Sequence, residues 1–508
     1  IEKTEKPDVK YRGIFLNDEE NFSYWSRLLE EETSSPGTPG AAAYARVFEL
    51  LLRLKANSIW PAMHEESTAF NARLNPETGV SFNAEMADRY GIIAGSSHCE
   101  MLLRNNATEW VPWCEANQGR YNLQKINNDW KASYDYTVNA TAMAAYWEEA
   151  VARNYKFENM YTIGLRGVHD AGINCSALSD KSVAGKAGVV KKAVEAQLAI
   201  LEKYEEKYYQ ETGERRSFLK IYCSYKEAAE YFKYDISLPE DTVIIWGDDN
   251  YGYLREVGTA EELAAYPDQG VYYHVSYLGT PLSYLWVAST PLGLIYEEMS
   301  KAYNAGSDDC WILNVGDLKP AEIPMTFLLG MAWDHDRYDD TTIPDFLKDF
   351  LTASFPLSEA DAEAVAAALQ DYYAVCFAKK PEYFGKSLGS NYNLVQYGDE
   401  GERQIAKLSA ACARSQEVYE NLPAAYRDAY FQLVQYMLQA ARDTLQKHIY
   451  QQKNQLYMGQ GRFASVNAYA KAAEDAYDRI LADLKYYNKS MSGGRFDGIL
   501  DPYTSIRS

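Results

Sequence analysis

The stretch that decides the fold is Thr242 to Leu254, which reads TVIIWGDDNYGYL. Residues 242–246 suit a strand buried on both faces, and the acidic run GDDN at 247–250 follows at once. Adjacent carboxylates are costly at the end of a buried strand unless a site uses them or cations pair them. A turn cap is the plainer interpretation. The stretch becomes informative because the same layout recurs along the chain.

Seven further apolar runs end in polar residues, and helical patterns separate them. Eight strands alternating with helices in about 330 residues are typical of a (β/α)8 TIM barrel, with a doubly wound sheet as the runner-up. The predicted strands are Tyr11 to Leu16, Ser58 to Met63, Gly91 to Ser97, Met160 to Leu165, Phe218 to Tyr222, Thr242 to Trp246, Val271 to Tyr277 and Cys310 to Val315.

After about Asp339 the sequence changes to long helical patterns with few glycines, which predict an all-α helical bundle. The predicted order is a linker at 1–9, the catalytic barrel at 10–338 and the bundle at 339–490. Residues 491–508 are expected to be a tail or the start of a missing domain.

Composition excludes several classes of protein. The 508-residue chain has 72 acidic and 50 basic residues and a net charge of -22, which argues against binding to nucleic acid or an anionic membrane. No apolar run is long enough to cross a bilayer. The seven cysteines are scattered, and CxxC and HExxH motifs are missing from the sequence, so we expect buried thiols, no metal and no cofactor.

The residues after the predicted strands are strongly polar, and four of the six histidines lie among them. In a barrel these positions converge at the C-terminal face, where catalytic residues are found. Carboxylates, histidines and an arginine in one pocket suit glycoside hydrolysis, in which one carboxylic acid protonates the leaving oxygen and a second carboxylate activates water or attacks carbon. A metal site is the competing interpretation, although no two histidines have the spacing of a recognisable ligand pair.

The candidates fall into two groups. Arg166 is placed to bind an acidic sugar, or else to form a salt bridge with a nearby acid, and Trp60 is either a sugar platform or a core residue. The catalytic candidates are Asp249, Asp248, Glu100 and Asp170. The substrate-binding candidates are Trp60, His64, Glu65, His98, Arg166, His169, Asn250, His274, Tyr277, Asn314, Asp317 and Asp18.

Seven stretches resemble glycoside hydrolase family 115, which contains the xylan α-1,2-glucuronidases. The resemblance covers about residues 8–335 densely. It implies a catalytic barrel followed by a bundle, an inverting mechanism, and release of glucuronic acid or its 4-O-methyl ether from a plant polysaccharide. The stretches are YRGIFLNDEE (11–20), FELLLRLKANSIWPAM (48–63), YGIIAGSSHCE (90–100), YTIGLRGVHD (161–170), GDDNYGYLR (247–255), GVYYHVSY (270–277) and WILNVGDLKP (311–320).

The chain also departs from the family pattern at two places. Relatives often carry Arg-Pro-His-Asp-Tyr-Leu-Trp where this chain has TPLSYLW at 280–286, and several have Arg-Gly-Asp-Gly-Asp where it has RGVHD at 166–170. Polysaccharide or oligosaccharide is the expected partner, and a homodimer stays open. The expected location is secreted or periplasmic in a bacterium, with the cytoplasm as the alternative.

Two alternatives remain: a non-catalytic polysaccharide-binding or scaffold protein on the same barrel, and a glycosidase for a different sugar. For the leading hypothesis, inversion requires two carboxyl groups about 6.5 to 9.5 Å apart. Asp248 and Asp249 point to opposite sides of an extended chain, so both cannot face the sugar. We expect Asp249 to act with Glu100 or Asp170 while Asp248 supports the loop.

Overall fold

The computed structural model describes residues 5–29, 39–65, 67, 69–385 and 392–500. The chain divides into two compact units. The first comprises residues 1–274, 298–317 and 332–335, and the second comprises residues 275–297, 318–331 and 336–508. Parts of the predicted linker, residues 1–4, and of the predicted tail, residues 501–508, lie outside the described residues.

The first unit contains eight parallel strands in the order β3-β2-β1-β8-β7-β6-β5-β4. The pairing of β1 with β8 rules out an open doubly wound sheet, and a parallel bridge between Ala94 and Asn159 joins the two ends of the order. The predicted TIM barrel is confirmed. The strands are β1 (Tyr11–Phe15), β2 (Ser58–Trp60), β3 (Ile93–Ala94), β4 (Met160–Thr162), β5 (Leu219–Ser224), β6 (Thr242–Gly247), β7 (Gln269–His274) and β8 (Cys310–Asn314).

Some strands are shorter than the apolar runs that predict them. The second ends at Trp60, three residues early, because Pro61 has no N–H to continue the ladder. The seventh ends at His274, so Tyr277 lies outside it. The apolar runs continue beyond these strands because their last side chains are buried in loops.

The barrel is filled by side chains that alternate along the strands, as expected for this fold. They form a buried cluster that includes Phe15, Trp60, Ile221, Ile245 and Tyr272. The interior is therefore a packed core, and chemistry is restricted to the strand ends.

Helices follow or separate the strands of the first unit, and the last two include residues that are assigned to the second unit. They are α1 (Asn21–Ser26), α2 (Ala41–Arg53), α3 (Phe82–Tyr90), α4 (Asn106–Asn117), α5 (Tyr136–Asn154), α6 (Val183–Thr212), α7 (Glu227–Phe232), α8 (Ala260–Ala265), α9 (Leu292–Asn304) and α10 (Glu322–Trp333).

The second unit contains the C-terminal helices, as predicted. The helical stretch that begins at Ala424 contains a π-helical turn at Phe431–Gln435. Among the described residues, no helix is long and apolar enough to cross a membrane. The helices are α11 (Thr342–Ser354), α12 (Glu359–Ala378), α13 (Glu400–Asn421), α14 (Ala424–Tyr430), α15 (Tyr436–Gly459) and α16 (Phe463–Lys485).

Candidate active site

The strand ends of the barrel collect the predicted site residues in the first unit, with one exception. Tyr277 belongs to the second unit, where its backbone pairs with that of Tyr284. The other candidates are the last residues of strands or lie on the loops that follow them, and they form several separate contact groups.

The most highly charged group surrounds Asp170, in the loop after β4. Arg166 and Lys226 both bind its carboxylate, and the Nε2 atom of His98 lies 3.2 Å from its Oδ1 atom. Burial alone would raise the pKa of Asp170, but the hydrogen bond from His98 and the charges of Arg166 and Lys226 bring that pKa well below its usual range. Asp170 is therefore an ionised carboxylate, with a side chain 36% exposed.

Arg166 was predicted to bind an acidic sugar or else to form a salt bridge with a nearby acid, and its N–H groups all contact protein atoms. Its Nε and Nη2 atoms donate to the two carboxylate oxygens of Glu227 at 2.9 and 2.8 Å. Nη1 donates to Asp170 and to the Cys99 sulfur, and Nη2 also reaches the Asp170 carbonyl at 3.4 Å. A guanidinium has five N–H groups, and these contacts use all five. The alternative interpretation, a salt bridge to nearby acids, describes the side chain.

His98, Cys99 and Asp170 have ligand atoms within 4.8 Å of one another, which is close enough to hold a metal ion. Their surroundings do not suit a cation. Arg166 and Lys226 already neutralise Asp170, and burial raises the pKa of the Cys99 thiol well above its usual value, so the metal-binding thiolate is disfavoured. The group is therefore better suited to an ion pair than to a metal ion.

Asp248 supports its own loop and a histidine. One oxygen contacts His274 Nδ1 and accepts from the Asn250 amide at 3.1 Å, and the other accepts from the amides of Gly252 and His274 at 3.0 and 3.2 Å. The side chain is fully buried. Asp248 therefore fixes the loop and the orientation of the His274 ring, which agrees with the supporting role expected for one of the two aspartates.

Asp249, which we expected to act on the sugar, also has structural partners. Its Oδ1 atom accepts from the amides of Tyr251 and Tyr253 at 3.1 and 3.2 Å, and its Oδ2 atom forms a two-pronged ion pair with the exposed Arg255 at 2.6 and 3.0 Å. The sequence places Arg255 six residues away, so a turn brings the pair together. Both aspartates therefore stabilise this loop.

Glu100 is buried, with 4% of the residue exposed. Burial, followed by the charge of Glu109, raises its pKa well above the usual value, so the carboxyl group keeps its proton. It lies close enough to Tyr134 and Tyr146, which are core residues, to interact with them electrostatically when ionised. Glu100 therefore lies against an aromatic core.

A cluster of aromatic rings packs around Tyr272 at the strand ends, and we call this cluster the aromatic floor. The ring of Tyr272 lies 5.4 Å from Trp60, 5.6 Å from His98, 5.5 Å from Tyr225 and 4.5 Å from His274, measured between centroids. Trp60 is fully buried and packs on Gly95, where a Cβ atom would meet its ring at 2.8 Å. Trp60 is therefore a core residue, the second of its two interpretations.

Two predicted amide residues hold the phenol groups of this floor in place. Asn314 donates from Nδ2 to the Tyr272 hydroxyl at 2.8 Å, and the Tyr225 hydroxyl donates to Asn250 Oδ1. Asn314 and Asn250 thus contact the aromatic floor directly, and any effect on a ligand would pass through the two tyrosines.

Asp18 and Asp317 form a buried carboxyl pair between the ends of β1 and β8. They hydrogen-bond to each other, while Asp18 accepts from Ser23 and Asp317 accepts from the Phe22 amide at 3.0 Å. Burial raises the pKa of both groups, and the charges of Asp18 and Glu19 raise the pKa of Asp317 further. The pair therefore shares a proton at neutral pH.

Asp317→Asn is expected to stabilise the protein at neutral and alkaline pH. Because both pKa values are raised in the folded state, the folded protein binds more protons than the unfolded chain, and its stability falls as pH rises above about 4. An amide keeps the hydrogen bonds without needing a proton. For each pKa unit by which folding raises the pKa of Asp317, the substitution should add about 1.4 kcal/mol to the free energy of unfolding.

Thermal unfolding between pH 4 and pH 8 checks this expectation. The advantage of Asp317→Asn over wild type should grow as pH rises and disappear near pH 4, while Asp340→Asn at an exposed position should show no such trend. A variant less stable than wild type at every pH would show that the pair holds no shared proton.

Glu19, His64 and His169 form a third group, which we call the histidine relay. Glu19 Oε2 lies 2.9 Å from His64 Nε2, and His64 Nδ1 lies 2.8 Å from His169 Nε2. The neighbouring Glu65 is paired with Lys131. His64 and His169 are far apart in sequence, so their contact was not predictable from spacing.

Sequence reasoning missed Glu227 and Lys226, which complete the charges around Asp170. Both follow the polar residues Ser224 and Tyr225 at the end of β5, and they open α7. The sequence did place both residues directly after a strand end. The pattern of residues that follows, however, indicates only a helix.

Comparison with known proteins agrees with this architecture. The model of glycosyl hydrolase family 115 matches residues 4–383. The solved structure of a family GH115 4-O-methyl-alpha-glucuronidase, BtGH115A, with specificity for decorated arabinogalactans, is 31% identical, with a TM-score of 0.82. The alignment covers 99% of this chain and 61% of that protein, so this chain spans less than two thirds of its relative.

A second solved structure shares only the fold. It is a GH138 enzyme targeting pectin rhamnogalacturonan II, 10% identical, with a TM-score of 0.57 and coverage of 97% of this chain and 65% of the other. No curated protein matches the sequence significantly. The family match covers most of the chain and agrees with the similarity to BtGH115A. The chain therefore belongs to glycosyl hydrolase family 115.

Proposed function

We propose that the protein is a glycoside hydrolase that releases glucuronic acid, or its 4-O-methyl ether, from the side chains of a plant polysaccharide. Family membership and the 4-O-methyl-alpha-glucuronidase relative support this activity. The observation that carries the proposal is the pair of partly exposed carboxylates, Asp170 and Glu227, held on different nitrogens of one buried arginine.

Asp170 and Glu227 are the best candidates for the catalytic pair because they can reach a ligand. Their side chains are 36% and 28% exposed, whereas those of Asp248 and Glu100 are buried and Asp249 is bound to Arg255. Arg166 lies between them, so it fixes both carboxylates and keeps them from touching. This arrangement suits an inverting glycosidase, whose carboxyl groups are separated so that water can enter.

The two carboxylates would have different roles. Asp170 stays ionised because His98, Arg166 and Lys226 lower its pKa, so we assign it as the base that activates water. Glu227 is then assigned as the acid that protonates the leaving oxygen, a role for which it must carry a proton in the substrate complex. Glu100 keeps its proton but lies against an aromatic core, so it becomes the second choice for the acid.

The polysaccharide is a separate part of the proposal. The family resemblance favours glucuronidated xylan, while the solved relative has specificity for decorated arabinogalactans. We propose an α-linked glucuronic acid at a chain end or side branch as the shared feature. A polymer substrate favours a secreted or periplasmic location.

The activity is tested by incubating the protein with glucuronoxylan and with glucuronidated arabinogalactan and measuring released uronic acid. Release from either one, and no neutral sugar, is the expected result. Binding to both polymers without release would support the scaffold alternative instead. Release of a neutral sugar would indicate a glycosidase for a different sugar.

A further inference from the structure

The histidine relay contains a histidine in a conformation that costs energy. His169 has a φ of 58°, in the left-handed region that favours glycine. Its amide donates to Asn106 at 2.9 Å, and its ring contacts His64 with centroids 4.7 Å apart. A side chain kept at such a position suggests a role that glycine cannot perform.

The contacts within the relay indicate which ring nitrogen carries each proton: an ion-pair contact between Glu19 and His64, and a hydrogen bond between the two rings. Asn17 donates to Glu19, whose other oxygen faces His64 Nε2. A carboxylate only accepts, so we assign the proton of His64 to Nε2, which makes Nδ1 the acceptor for a proton on His169 Nε2. The Nδ1 atom of His169 is then the basic nitrogen at the end of the series.

An acidic sugar needs a positive group, and the two cations nearest His169 already have anionic partners. Arg166 uses all five N–H groups within the protein, and Lys226 binds Asp170. Lys131 is paired with Glu65. The two cations and two carboxylates around Arg166 sum to no net charge, so this group alone does not attract an anion.

The groups around His169 act on its pKa in opposite directions. Burial and the neighbouring His64 lower its pKa, while Asp170, Glu65 and Glu19 act in the opposite direction. The net shift is downwards, so the ring is neutral at pH 7 in the free protein. A sugar carboxylate beside the ring would favour the protonated form.

We propose that His169, supported by His64 and Glu19, binds the carboxylate of the acidic sugar by taking up one proton from solvent when the sugar binds. The proton is added to His169 Nδ1, and no bond of the sugar changes. This inference rests on the proposed function, because it concerns how the same site selects a glucuronic acid unit. It makes His169 a specificity-determining residue.

Calorimetry with D-glucuronate tests the proposal on the complete chain. Titrations at pH 6.5 in buffers of different ionisation enthalpy should show net proton uptake on binding. Lys226 is charged before the ligand arrives, so a carboxylate held by Lys226 would bind without uptake. Affinity for D-glucuronate should fall between pH 5.5 and pH 7.5, while affinity for D-glucose should stay constant.

His169→Gly and His169→Asn should abolish the uptake and weaken glucuronate binding at pH 6 by about 10- to 100-fold, the value of one charge-assisted hydrogen bond. Both residues accept a positive φ, so the fold should be retained. Asp340→Asn, at an exposed position outside the relay, should retain the uptake. Unchanged uptake in both His169 variants would overturn the proposal, as would a wild type that does not bind glucuronate.

The outcome can be separated from that of the proposed function. Glucuronate binding with proton uptake, in a protein that releases no uronic acid from any polymer, would support the relay and reject the hydrolase. Release of uronic acid by a protein whose glucuronate affinity does not depend on pH would support the hydrolase and reject the relay.

Discussion

Asp170→Asn is expected to lower kcat for uronic acid release by about 100- to 10,000-fold, the loss produced by removal of a general base. The substitution removes the charge that activates water but keeps the shape of the side chain. The loss should be similar for polysaccharide and for an aryl glucuronide, because both require water activation. Steady-state kinetics on the two substrates measures it.

Glu227→Gln provides the comparison that separates acid from base. A general acid is needed only when the leaving group is poor, so this variant should lose activity on polysaccharide and retain most of it on an aryl glucuronide. Equal losses on both substrates would remove Glu227 from the acid role.

Asp249→Asn is the matched control, since it makes the same change at a strand end where the carboxylate is bound to Arg255. We expect its kcat to stay within about threefold of wild type, because exposed ion pairs contribute little. A loss as large as that of Asp170→Asn would restore Asp249 to the mechanism and contradict the assignment.

Arg166→Met is expected to produce the second large effect, which acts on folding and activity together. The substitution leaves Asp170 and Glu227 without the cation between them, and removal of one partner from a buried ion pair costs about 3 kcal/mol or more. Because the guanidinium contacts only the protein, binding of glucuronate and of glucose should weaken alike.

Denaturant unfolding and binding measurements test this expectation, with Arg255→Met as the control at an exposed ion pair. The control should unfold within about 1 kcal/mol of wild type. A selective loss of glucuronate binding in Arg166→Met, with stability unchanged, would show that Arg166 binds the sugar carboxylate after all.

The sequence predicted the barrel well because its strands are apolar runs that end in polar residues. Thr242 to Trp246 followed by Asp248 is the clearest case, and β6 ends one residue later, at Gly247. Local composition was sufficient there, since a strand buried on both faces has few alternatives. Positions at strand ends could therefore be chosen as candidates without a structure.

Contacts between those positions were not predictable, because each depends on which side chains meet across the barrel. Asp170 has no lysine or arginine immediately beside it in sequence, yet Arg166 and Lys226 both reach it in space. Asp249 pairs with Arg255 because a turn brings the two together. Glu227 is the first residue of a helix, and it contacts Arg166 across the strand ends. Sequence spacing carries no information about such pairs.

The central claim is that the barrel hydrolyses an α-linked glucuronic acid by inversion, using two carboxylates separated by a water molecule. Proton magnetic resonance of the released sugar during the first minutes of reaction tests it most directly. The account predicts that the β anomer of glucuronic acid appears first and the α anomer forms only later by mutarotation. An α anomer that appears first would contradict the claim.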